Sequence, residues 1–112
     1  MKVIEMNILS VGKFPIKIKD IIYIETSGRN LLVHTRDQEY TCSGSIKGVC
    51  EILKSEGFCK SHQSYLVNLD EVESFDNKDI YMKNHDKVML SKRQRQAFKE
   101  AYFQHRLQKS GK

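Results

Sequence analysis

The chain has 112 residues, 39% hydrophobic and 29% charged, which fits one globular domain with a real core and excludes a disordered segment. No apolar run approaches the roughly 20 residues of a membrane span, and the start, MKVIEMNILSVGKF, lacks the long apolar core of a secretory signal. The net charge of +5 is uneven: residues 87–112 hold eight Lys or Arg against one acid, Glu100, while residues 1–86 hold eleven bases against thirteen acids.

In chain order, the first elements read as short strands. KFPIKIKDIIYIE alternates at Phe14, Ile16 and Ile18, then runs into the dense apolar stretch Ile21–Ile24, rich in β-branched and aromatic residues. SGRN, Ser27 to Asn30, is a turn. LLVHTR and EYTCS form a hairpin closed at Asp37 and Gln38. The period then changes. Ile46, Val49, Cys50 and Leu53 fall on one face of a helix, with Ser45 as its N-cap and Gly57 as its stop. FCKSHQSYLVNL follows: a polar loop without Gly, Pro, Asn or Asp, running into an apolar strand that contains Asn68. DIYMK and KVML are short strands separated by the turn NHD. Ser91 is a natural N-cap for a last helix, in which Phe98, Ala101, Tyr102 and His105 repeat at helical spacing, ending about Gln104–Gln108. Lys92, Arg93 and Arg95 then fall in its first turn, where the helix dipole prefers acids; an external anion would offset that conflict.

Pro15 is the only proline, and neither a repeat nor a Gly/Ser linker interrupts the chain. Residues 1–112 therefore read as one domain of mainly β class, with one short internal helix and a C-terminal helix. The three cysteines, Cys42, Cys50 and Cys59, have no paired spacing. That argues against a disulfide framework and for a reducing, cytoplasmic setting.

Enzyme chemistry has little support. Cys59 and His62 are close in sequence, but no elbow or oxyanion-forming glycine motif accompanies them, and a Cys beside Phe58 is usually a half-buried core residue. Cys50, Cys59, His62 and His85 match no zinc-ligand spacing. No P-loop and no dinucleotide-binding glycine fingerprint is present. No catalytic residue, metal or cofactor is expected.

Nucleic acid is better served. Three donor-rich clusters fall in loops or at an element's start: Arg29-Asn30, Lys60 to Ser64, and Lys92-Arg93-Gln94-Arg95. Arg can grip guanine O6 and N7, Gln or Asn can grip adenine N6 and N7, and Lys and Ser suit phosphates. Polar loops generally just face water, and a basic end is generally a solvated face. The clusters carry weight only if the fold brings them to one face, which spacing does not settle.

The order of four segments resembles the LytTR DNA-binding domain family, the output domain of LytR/AlgR-type bacterial response regulators. The segments are DIIYIETSGRNLLVHT, YTCSGSIKGVCEIL, GFCKSHQSYLVNLDEVESF and KVMLSKRQRQAFKEAY. The most specific residues are Phe58, His62, Ser64 to Asn68 with Val72, and then Ser91-Lys92-Arg93; the resemblance covers about residues 14–103. It implies an elongated arrangement of short antiparallel sheets with small helices, whose loops enter successive major grooves of double-stranded DNA at direct repeats near promoters. By position, Gln63 and Arg93 would read bases, Arg29 or Asn30 would contact them from the first loop, and Lys60, His62, Ser64, Lys92 and Arg95 would support or bind phosphates. The resemblance also implies a second copy on the DNA, and a receiver domain with a histidine-kinase (two-component) pathway outside this chain. A fragment of a response regulator and a stand-alone regulator beginning at Met1 both fit. Where some relatives carry a redox-active Cys before the loop His, this chain has Ser61.

Two other readings remain open on the residues. An RNA or single-strand binder would display aromatics such as Phe14, Tyr23, Tyr40, Tyr65 and Tyr81 for stacking. A basic protein-interaction domain would dock its last helix on an acidic partner.

Overall fold

A computed structural model describes residues 3–5 and 15–110 of the chain. Strand β1 (Val3–Glu5) pairs antiparallel with β2 (Pro15–Lys17). A 3₁₀ turn, Ile18–Asp20, leads into β3 (Ile21–Ser27), followed by β4 (Asn30–Thr35) and β5 (Glu39–Ser43). Helix α1 (Ile46–Leu53) and the 3₁₀ turn Lys54–Glu56 precede β6 (Phe58–His62) and β7 (Tyr65–Asn68). After the 3₁₀ turn Leu69–Glu71 come β8 (Val72–Phe75), β9 (Asp79–Met82), β10 (Lys87–Met89) and helix α2 (Arg95–Ser110). The expected Phe14 position lies outside the described residues. Ile18 turns out of the strand pattern into the first 3₁₀ turn.

Five strands form one antiparallel sheet in the order β5-β4-β3-β7-β6, and three form another in the order β10-β9-β8. The larger sheet is apolar on both faces. Ile21, Ile24, Leu31, Val33 and Leu66 pack with Ile46, Val49 and Leu53 of α1. On the other face Ile22, Tyr23 and Val67 pack with Ile80, Met82 and Val88 of the small sheet and with Phe98 and Tyr102 of α2. This explains the run Ile21–Ile24: a strand covered on both sides has no solvent face to make polar. A register irregularity between Ile21 and Tyr23 further breaks the alternation. The two sheets share this second core, and the extents are 36 × 33 × 25 Å, less elongated than expected.

The local signals for α1 hold. Ser45 Oγ accepts the Gly48 N–H at 3.0 Å, closing the N-cap. Gly57 stops the segment in the left-handed region, φ 85°. The ring of His105 in α2 lies where a Gly57 side chain would project, with its Cε1 at 2.9 Å from a β-carbon placed there. A side chain there would be strained by the positive φ and would have to displace the His105 ring. Asn68, 3% exposed, donates to the Ile21 carbonyl at 2.8 Å and accepts the Asp70 N–H at 3.0 Å. A buried amide is satisfied by pinning β7 to β3 and shaping the turn after it.

Helix α2 starts later than its sequence suggests. The Gln94 N–H points at Ser91, 3.2 Å from Oγ and 3.1 Å from the carbonyl oxygen, which closes a turn over residues 92–94. The first α-type bond runs from Phe98 N–H to Gln94 O at 2.8 Å. Lys92 and Arg93 therefore sit in a turn ahead of the helix, not inside its first turn, and only Arg95 begins it. The far end continues to Ser110, past the expected stop.

Candidate nucleic-acid interface

The β3–β4 connection is the tight turn Gly28–Arg29, closed by the pairing of Ser27 with Asn30. Gly28 has φ 61°, which a side chain would make costly. Arg29 and Asn30 are exposed at its tip. The Thr26 N–H at the end of β3 donates to the Ser64 carbonyl at 2.9 Å. That bond places the β6–β7 turn beside the β3–β4 turn at the same end of the large sheet. With β7 and β6 succeeding β3 in the sheet, the two turns lie about 10 Å apart by strand spacing.

The β6–β7 turn is Gln63–Ser64, closed by the pairing of His62 with Tyr65. It needs no Gly or Asn because His62 shapes it: Nδ1 accepts the Ser64 N–H at 3.0 Å, as an Asx side chain would do. The His62 ring also rests edge-on against Tyr65, with centroids 5.6 Å apart. Gln63 is left exposed at the tip, while Lys60, His62 and Ser64 are half-buried around it.

The third cluster is attached to the second through the backbone. A bulge between Lys60 and His62 turns Ser61 inward, where it is fully buried. Its carbonyl oxygen accepts the Ser91 N–H at 2.8 Å. The turn carrying Lys92 and Arg93 thereby abuts the turn carrying Gln63. Lys60, His62, Gln63, Ser91, Arg93 and Gln94 line one open groove of about 390 Å³. Gln94 was not among the expected contacts, although its amide offers the same donor and acceptor pair as Gln63. Arg95 is partly committed elsewhere: its Nε donates to the Asn77 carbonyl at 3.0 Å.

Lys92 and Arg93 are exposed. Among the described residues, Arg29, Lys60, Lys92 and Arg93 take part in no ion pair. Their charges are not spent inside the fold, unlike those of Arg36, which pairs with Glu71, and Lys109, which pairs with Asp70. The three clusters thus share one end of the molecule and present unspent donors there.

The competing chemistries fare worse. Burial, with a smaller effect of nearby Cys50, pushes the Cys59 thiol up to about 11. The thiol points at the Lys60 carbonyl, 3.5 Å away, whereas His62 Nδ1 serves Ser64. They do not form a nucleophile–base couple. No group of three His, Cys, Asp or Glu among the described residues is arranged for a metal. Of the four described aromatics considered for base stacking, Tyr23 is buried, Tyr40 and Tyr65 are half-buried, and only Tyr81 is exposed. No helix among the described residues is long and apolar enough to cross a membrane.

The family model of the LytTr DNA-binding domain matches residues 12–103. The chain belongs to the LytTR DNA-binding domain family. Among solved structures, the fold is similar to the LytTr DNA-binding domain of a methyl-accepting/DNA response regulator from Bacillus cereus, with a TM-score of 0.76. That likeness covers 90% of this chain and 96% of the other at 18% identity. No curated protein matches. The family is one of DNA-binding domains. The segment order that carried the resemblance corresponds to the strand-and-turn order of the fold, from β3 to α2.

Proposed function

We propose that this LytTR domain is a sequence-specific transcription regulator that reads double-stranded DNA with turns rather than with a helix laid along the groove. Gln63 and Arg93 read base edges in one major groove, the amide suited to adenine and the guanidinium to guanine. Arg29 or Asn30, at the neighbouring hairpin tip, reaches the next contact along the duplex. Lys60, Ser64 and Lys92 bind phosphates, with His62 and Arg95 supporting them. The observation that carries this reading is the backbone bond from Ser91 to Ser61, which joins two donor clusters into one groove. On this reading the domain binds direct repeats near promoters, with a second copy beside it, works in the cytoplasm and takes its signal from a receiver domain in a two-component pathway.

The test is competition at moderate salt between duplex DNA, single-stranded DNA and RNA of the same sequence for the labelled protein. The proposal expects duplex to win. Preferred binding of single strands would move the function to RNA or single-strand binding. Indifference to all three, with capture by an acidic protein, would move it to a protein partner.

A further inference from the structure

A fourth turn lies at the same end of the molecule, outside the three clusters. β8 and β9 are joined by Asp76, Asn77 and Lys78. The Leu90 N–H donates to the Lys78 carbonyl at 2.9 Å, and Arg95 Nε donates to the Asn77 carbonyl at 3.0 Å. The turn is therefore bonded to both flanks of the segment 91–94, which carries Lys92 and Arg93. It is also internally rigid. Asp76 Oδ1 accepts the N–H groups of Lys78 and Asp79, each at 2.8 Å, and Oδ2 accepts the Tyr81 hydroxyl at 3.0 Å. Asn77 and Lys78 are both exposed, and among the described residues Lys78 forms no ion pair.

From this geometry we infer that the Asn77–Lys78 turn is a further contact to the DNA backbone, with the Lys78 ammonium on a phosphate flanking the bases that Arg93 reads. The inference rests on the duplex reading above. A phosphate contact needs a cation held at a fixed distance from the reading groove, and the two cross-bonds supply that fixity. Sequence inspection passes over DNK because an acid, an amide and a base in a turn look like ordinary solvent-facing residues. The Asp76 carboxylate, which shapes the turn, also places a negative charge near the backbone. Removing that charge while keeping the turn should therefore help binding, the reverse of removing Lys78.

The experiment measures affinity of the full chain for a specific duplex and for a random-sequence duplex of equal length, between 50 and 200 mM salt. Lys78→Gln should weaken binding to both duplexes several-fold and by the same factor. Its slope of log affinity against log salt should be shallower by about 0.9, the value for one phosphate contact. Asp76→Asn retains the Oδ1 acceptor and should tighten both. If the parent binds duplex and both variants match it in affinity and slope, the turn stands clear of DNA and the inference is wrong. If the parent itself binds no duplex, the duplex reading fails and this inference fails with it.

Discussion

The backbone N–H of Ser91 donates to the carbonyl oxygen of Ser61 at 2.8 Å, across thirty residues of chain. One bond thus joins the bulge behind the Gln63 turn to the residue that opens the turn of Lys92 and Arg93. Side chains that look like separate polar loops in the sequence become the two walls of one groove.

Arg93 should matter for binding and not for folding. It is exposed and makes no ion pair among the described residues. Arg93→Ala should leave the urea midpoint unchanged and weaken specific binding by about 1–3 kcal/mol, relaxing the preference at one base position. Equal loss on specific and random duplexes would instead make it a phosphate contact.

Ser61 should tolerate loss of its hydroxyl. Among the described residues the Oγ is buried without a hydrogen-bond partner, and the bond to Ser91 uses the backbone. An unpaired buried hydroxyl destabilises a fold, so Ser61→Ala should be neutral or stabilising by up to about 1 kcal/mol. DNA binding should survive. A marked loss of stability in chemical denaturation would show that the hydroxyl has a partner.

Asn68 should be intolerant. Its amide bridges the Ile21 carbonyl and the Asp70 N–H from a site 3% exposed. Asn68→Ala leaves both groups unpaired and should cost about 2–4 kcal/mol in urea unfolding. A loss under about 0.5 kcal/mol would mean that both backbone groups find other partners.

Asp70 gives stability a pH dependence of known sign. Burial pushes its carboxyl up, but hydrogen bonds from His105 and Lys109 outweigh this and hold it below the ordinary carboxylate range. A carboxyl lowered in the folded state stabilises the fold above its unfolded pKa of about 3.9, and the effect is lost as pH falls through the folded value. Asp70→Asn should therefore be less stable than the parent near pH 5. The gap should be at most roughly 0.5 kcal/mol, because the carboxylate is substantially solvated. Thermal melts should show it closing as pH falls through the folded value. A gap that grows in acid would contradict the assignment.

Much of this architecture is legible in the sequence wherever a local signal decides it. The spacing of Ile46, Val49 and Leu53, with Ser45 as a cap, gives α1 because cap and periodicity act within one turn. The apolar run Ile21–Ile24 marks the central strand. Asn68 stands out as a polar residue inside an apolar strand, and its buried amide finds partners in the Ile21 carbonyl and the Asp70 N–H. The start of α2 is misjudged because Ser91 does cap something, but the capped unit is the turn over 92–94. The shared end of the clusters is invisible for a different reason. It depends on β7 pairing with β3 and on the Ser91–Ser61 bond, both long-range choices made by the packed core. Gln94, noted in its cluster but given no contact, and the Asn77–Lys78 turn are missed for the same reason, since their positions beside the groove are tertiary.

The most direct test of the central claim is selection of bound duplexes from a random pool, run in parallel with the parent chain and Arg93→Ala. The account predicts a short motif, repeated about one helical turn apart, which the parent enriches and the variant loses at defined bases. Binding that enriches no motif and fades uniformly with added salt would contradict it, leaving the groove an electrostatic patch without sequence reading.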